Sequence, residues 1–206
     1  IGPVYPVISM DGKTVAYGVG RGRKGTAYLR LIGADGSGQR DLCPAVRPIQ
    51  WFPDGRRILG VRQGDDSKRI EIVSVSVSDG SVQAIKAMSG NFQNTIIKLS
   101  PDAKYVAYEL PSKDDTPKRD IFAIEIDSQR ETPLVGHAAD DRLLDWTPDG
   151  RYILFISDRT GPWGAWLLPV AKGQAQGTPE QVARNIGDVA PVGFAGNGSY
   201  YYRLAY

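Results

Sequence analysis

The sequence predicts an all-β fold built from a repeated four-stranded unit, and three observations predict it. The first is a recurring hairpin corner: an apolar run, a Pro-Asp-Gly turn and a second apolar run. It is best preserved in Trp146-Thr147-Pro148-Asp149-Gly150-Arg151-Tyr152-Ile153-Leu154-Phe155. Proline presets the backbone of such a turn, aspartate bonds its own backbone, and glycine takes the positive φ that other residues resist. Related copies are Met10-Asp11-Gly12-Lys13, Trp51-Phe52-Pro53-Asp54-Gly55-Arg56 and Leu99-Ser100-Pro101-Asp102-Ala103-Lys104, with a worn one at Phe194-Ala195-Gly196-Asn197-Gly198. The second observation is spacing. Asp11, Asp54, Asp102, Asp149 and Asn197 stand 43, 48, 47 and 48 residues apart, a period found in repeat arrays. Another turn keeps the same phase at Asp35-Gly36, Asp79-Gly80, Asp127-Ser128 and Lys172-Gly173, 24, 25, 25 and 23 residues after the first. The third is that the runs between turns alternate or are rich in β-formers, and none sustains a helical period.

Taken in order, the first unit supplies strands over residues 4–9, 14–19, 26–32 and 39–43, and the second over 48–52, 57–61, 70–77 and 82–85. The third reads as 95–99, 105–110, 121–126 and 132–135, and the fourth as 143–146, 152–156, 165–170 and 181–183. A fifth unit supplies only 189–194 and 200–204. Four antiparallel strands per unit is the blade of a β-propeller, whose sheets pack face to face around a channel. The expectation is one domain over residues 1–206, with blades at about 4–43, 47–86, 93–135 and 141–184 and a half-blade at 187–206. Natural sheets avoid an open edge. Four and a half blades therefore read as a fragment of a larger ring, on the order of six to eight blades, and a four-bladed ring is the less favoured reading. The segments 18–25 and 111–118 read as polar hairpin tips, and 172–179, rich in Gly and Gln, as a longer turn.

Composition excludes several functions. Of 206 residues, 41% are hydrophobic and 23% charged, which places the chain among ordinary globular proteins. Lys and Arg number 25 against 23 Asp and Glu, and they are scattered rather than gathered in a stripe, so nucleic acid is not expected as a main partner. No apolar run approaches the roughly 18 residues that cross a bilayer as a helix. Ile1 is followed by no charged-then-apolar leader, so a signal peptide is expected to be absent or already removed. Cys43 stands alone, which excludes an internal disulfide and reads as a small apolar filler.

The candidate chemical residues mostly read as structural. Asp11, Gly12, Asp54, Gly55, Asp102, Asp149 and Gly150 are turn residues, and one aspartate per blade is too dispersed for a single metal coordination sphere. The pairs Asp65-Asp66, Asp114-Asp115 and Asp140-Asp141 read as solvated turns. His137 is the only histidine, in a loop, and no Gly-x-Ser-x-Gly elbow exists for it to serve, so no catalytic residue is expected. The single histidine and cysteine leave no zinc set, and Gly18-Val19-Gly20-Arg21-Gly22 joins two strands rather than opening a helix, so no metal or cofactor is expected. Trp51, Trp146 and Phe194 precede equivalent turns and read as core. Trp163, at a hairpin tip beside Arg159, reads first as local packing over the hairpin, with the alternative that Arg159 and Trp163 form a protein-binding pair.

The repeated hairpin, followed by Ser157-Asp158-Arg159-Thr160-Gly161 and Trp166-Leu167-Leu168-Pro169-Val170, resembles the TolB-type, WD-repeat-like β-propeller family. The resemblance spans essentially the whole chain. It departs from the pattern at Met10, at Ala103 and at Gly196-Asn197. It implies a non-catalytic scaffold that binds a protein or peptide, and a periplasmic location, though the residues themselves are compatible with the cytoplasm. Blades of this kind also form the substrate-gating half of prolyl-oligopeptidase-like and tricorn-like serine peptidases, which is the alternative expectation. A third is a ligand-sensing propeller attached to a membrane-anchored regulator.

Overall fold

A computed structural model describes residues 4–20, 28–63, 69–89, 95–111 and 118–204, and every regular element among them is a strand. The expected tip residues Arg21, Arg23 and Lys24 and the pairs Asp65-Asp66 and Asp114-Asp115 lie outside the described residues. The chain forms two compact units, Ile1–Phe92 and Gln93–Tyr206.

The first unit holds two antiparallel sheets. One runs β1 (Val4–Ile8), β2 (Thr14–Val19), β3 (Tyr28–Gly33) and β4 (Arg40–Pro44) side by side in chain order. The other does the same with β5 (Val46–Trp51), β6 (Arg57–Gln63), β7 (Arg69–Ser76) and β8 (Val82–Ser89). Ala16, Leu29, Leu31 and Cys43 of the first sheet meet Val46, Trp51, Ile58, Val73 and Val75 of the second in one core. Burial pushes the Cys43 thiol up to about 11, consistent with a filler rather than a reactive group. β8 runs four residues beyond its expected end, because β7 pairs with it as far as Arg69 opposite Ser89. Lys86 and Ala87 hid that continuation.

The second unit begins with β9 (Ile97–Leu99), β10 (Tyr105–Pro111), β11 (Arg119–Glu125) and β12 (Glu131–Val135), again adjacent in chain order. Next come β13 (Asp141–Trp146), β14 (Tyr152–Ser157) and β15 (Gly164–Ala171), and the fourth place is taken by β17 (Glu180–Ala183) on β15. Within the expected long turn lies an unforeseen two-residue strand, β16 (Gln174–Ala175), folding back on Val170 and Ala171. Lys172 and Gly173 between them both have positive φ, the condition for a two-residue hairpin. A final hairpin pairs β18 (Val189–Phe194) with β19 (Tyr200–Leu204).

The fourth sheet explains its own sequence. Ile153 and Phe155 of β14 pack toward the third sheet with Trp146 and Leu168, whereas Leu154 and Ile156 pack toward the last hairpin with Leu144 and Val189. A strand covered on both faces reads as a continuous apolar run rather than an alternating one. Neighbouring sheets are also stitched by tryptophan: Trp51 Nε1 donates to the Val7 carbonyl at 3.0 Å and Trp146 Nε1 to the Lys98 carbonyl at 3.3 Å. Both indoles are buried, and Phe194, in the same register, packs edge-on to Tyr200 at 4.8 Å.

A candidate binding site at one end of the fourth blade

Each strand hairpin has two ends, and the repeated aspartates occupy one of them. The corner closes by a backbone bond to the carbonyl three residues back: Gly12 to Ser9 at 2.9 Å, Gly55 to Phe52 at 3.0 Å, Ala103 to Ser100 at 2.9 Å and Gly150 to Thr147 at 2.8 Å. The closing residue is left-handed every time, including Ala103 at φ 58. The aspartate just before it accepts the amide two residues on, as Asp149 Oδ1 does from Arg151 at 3.1 Å and Asp54 Oδ1 from Arg56 at 2.8 Å. Ser9, Ser100 and Thr147 add hydroxyls that donate to Asp11, Asp102 and Asp149 at 2.6 Å each. The second copy has Phe52 in place of that hydroxyl, and Arg57 covers its ring at 4.2 Å. The Thr147 hydroxyl, then the Arg151 amide and side chain, hold the Asp149 carboxyl down at about 2. These are solvent-facing carboxylates fully engaged in their own turns.

The other end of the β13–β14 hairpin differs. Asp140 and Asp141 are buried rather than solvated, which corrects the sequence reading, and Asp141 has no exposed surface. The reason is that each finds a guanidinium. Arg159 Nη2 reaches Asp141 Oδ1 at 2.7 Å, and its plane lies over Phe155 and Trp166. Arg142 donates to Asp140 Oδ2 at 2.8 Å and to both oxygens of Asp188 at 2.9 Å. Burial pushes Asp141 up, with Ser157 and Arg159 beside it pulling the other way. β13 accordingly starts at Asp141, two residues before its expected start.

The candidate pair Arg159 and Trp163 is not a pair in the structure. Arg159 is turned inward, with its side chain 12% exposed. Trp163 is half-buried against the core around Leu144, and the guanidinium over its ring, at 4.6 Å, belongs to Arg142. The tip carrying Trp163 is held at both sides: Gly161 bonds the Asp158 carbonyl at 2.9 Å, and Ile186 bonds the Trp163 carbonyl at 3.0 Å. His137 is exposed nearby, and its Nδ1 accepts the Ala139 amide at 3.1 Å. Among the described residues no serine or cysteine hydrogen-bonds His137, and no group of three His, Cys, Asp or Glu is arranged to hold a metal ion.

Two residues at this end escaped the sequence reading. Arg142 lies seven residues before Asp149, the register that Arg47 occupies before Asp54, and Arg47 likewise stacks on an aromatic ring, that of Tyr5 at 4.9 Å. Glu109 lies seven residues after Asp102, where the other copies carry Gly18, Val61 and Ile156. An acid in an otherwise apolar register was the available signal.

No protein-family model matches the chain, and no curated protein matches it in sequence. Solved structures do match. TolB from Acinetobacter baumannii aligns with a TM-score of 0.66 at 19% identity, over 91% of this chain and 45% of that one. The propeller domain of the trilobed protease from Pyrococcus furiosus aligns at 0.62 and 14% identity, over 84% of this chain and 57% of that one. The fold is a β-propeller. A structure from a study of two prolyl endopeptidases aligns at 0.70 and 16% identity, over 95% of this chain and 31% of that one. The chain thus spans less than two thirds of each of these structures, and at such identities the likeness is one of fold.

Proposed function

We propose that this propeller is a non-catalytic scaffold that binds a protein or peptide, and that the tip of the fourth blade around Trp163 contributes to the contact. The observation that carries this reading is the preorganised tip: a half-exposed indole clamped by Arg142, beside a rim of exposed Thr160, Gly161 and Pro162. A rigid aromatic loses little freedom on binding, which is why such residues anchor interfaces. The likeness to TolB supports the same reading and a periplasmic setting. Crosslinking of the full-length protein in its own cells should capture a defined partner, with capture reduced roughly tenfold by Trp163→Ala. Robust hydrolysis of peptides by the full-length protein, with no partner captured, would sink the proposal.

A second reading is supported by the alignment to the prolyl endopeptidase structure, which covers 95% of this chain. In it the chain is the propeller portion of a serine peptidase, gating access to a catalytic domain encoded elsewhere in the protein. A Gly-x-Ser-x-Gly elbow with downstream Asp and His in flanking sequence decides for it.

A further inference from the structure

We infer that Arg47, on the first strand of the second blade, binds a carboxylate supplied from outside the fold, from an acidic peptide or from a small free acid. The site is separate in its residues from the Trp163 tip and belongs to the first compact unit alone. Arg47 is half-buried, and its guanidinium lies over the ring of Tyr5 at 4.9 Å. Among the described residues it has neither a hydrogen-bond acceptor nor an ion pair. Taking a cation partly out of water is costly unless an anion or a set of acceptors replaces that water.

The fourth blade has the same register filled. Arg142 also lies over an aromatic ring, that of Trp163 at 4.6 Å, and it donates to Asp140 Oδ2 at 2.8 Å and to both oxygens of Asp188 at 2.9 Å. In the sequence registers of Asp140 and Asp188, the positions that go with Arg47 are Ala45 and Gln93. The second blade thus keeps the cation and the ring and lacks both acids. On the paired strand β6, Val61 stands opposite Arg47, and Arg62 next to it is taken by Glu71.

Tyr5 is placed by an irregularity in its own strand. Its φ of 56 is left-handed, rare for a bulky residue, and the β1–β2 register shifts between Val4 and Val7. Such a bulge re-aims a side chain, and here it brings the ring to β5 while leaving Tyr5 56% exposed. The guanidinium fork matches the two oxygens of a carboxylate, and the ring beneath it keeps water from one face. A bound carboxylate supplies the countercharge that Asp140 and Asp188 supply to Arg142.

Titrations of the whole chain at about pH 6, where carboxylates are ionised, test this through the Nε–Hε NMR signals of Arg47 and Arg142. The additions are sodium acetate, the capped peptide acetyl-glycyl-aspartyl-glycine amide, its asparaginyl counterpart and sodium chloride. The Arg47 signal, assigned by its loss in Arg47→Lys, should shift saturably with a dissociation constant on the order of 1 to 10 mM for at least one carboxylate. The Arg142 signal should stay in place, because its acids are built in, and the asparaginyl peptide should move neither. Tyr5→Leu should weaken binding about fivefold. Tighter binding of the aspartyl peptide than of acetate assigns the site to acidic peptides, and equal or weaker binding assigns it to small free acids. The inference is overturned by an Arg47 shift that sodium chloride or the asparaginyl peptide reproduces, that Arg142 shares, that Tyr5→Leu leaves unchanged, or that fails to saturate by about 50 mM. These readouts do not depend on capture through Trp163, so the two proposals fail separately.

Discussion

The two ends of the fourth blade's first hairpin each carry aspartates, in opposite physical states. Asp149 faces water, with its side chain 49% exposed, and its carboxylate is used up by the hydroxyl and amides of its own turn. Asp141, six residues before Thr147, the first residue of the turn, is sealed from water and held by Arg159 with Ser157 beside it. The first aspartate recurs in every well-preserved copy and does the same local work each time. The second has no counterpart: the equivalent position, eight residues before the turn aspartate, is Val46 in the second blade. Repetition therefore marks structure, and departure from the repeat marks where tertiary contacts are particular to one blade.

If this contrast is right, the buried end is the more fragile. Replacing Arg159 by Leu strands the Asp141 charge in the core and should cost about 3 kcal/mol at pH 7 in urea denaturation. The cost should shrink as pH falls, because burial already raises Asp141 and loss of the guanidinium lets it take up a proton more easily. A loss below about 1 kcal/mol would place the pair among surface bridges and erase the distinction. At the solvent end the double change Asp149→Ala with Gly150→Ala should cost about 1 to 2 kcal/mol through lost turn chemistry, and an unchanged thermal melt contradicts that role.

Titration separates the ends further. The Asp149 carboxyl is depressed in the folded protein, so its contribution is present above the ordinary value of 3.8 and disappears as pH falls through about 2. Asp149→Asn should flatten the acid limb of the stability curve over that interval and leave it unaltered near neutrality. A curve equally steep in both proteins refutes the assignment. The smallest effect is expected at Ala103, which holds a left-handed φ of 58 where the better copies carry glycine. Ala103→Gly should stabilise the chain by about 0.5 kcal/mol, the relief of strain being partly cancelled by unfolded-state entropy. Destabilisation in a thermal melt would show that the alanine methyl packs usefully.

The blades were legible because their signals are local. A Pro-Asp-Gly corner and an apolar strand advertise themselves within a dozen residues, and recurrence at a fixed period removes most of the ambiguity between strand and helix. β16 was not legible, since two residues that merely fold back on Val170 and Ala171 carry no periodic signal. The site was legible only in part. Trp163 stood out as an aromatic at a tip, but its sequence neighbour Arg159 was the wrong partner, because Arg159 turns inward to Asp141, Phe155 and Trp166 while Arg142 reaches the Trp163 ring from β13.

By itself, then, the sequence determined the all-β class, the repeating unit, the turn aspartates and the absence of a catalytic elbow. These follow from short-range backbone chemistry and from hydrophobic patterning, which every copy repeats. Only the tertiary structure decided which charges are buried and with whom. Asp140 and Asp141 look like a wet turn until Arg142 and Arg159 close over them, and Glu109 looks like an ordinary strand residue until the amide of Leu143 arrives from the next blade. Burial and charge pairing depend on which strands become neighbours in space, and apart from the local Arg142–Asp140 contact that information is spread over residues 18 to 46 positions apart in the chain.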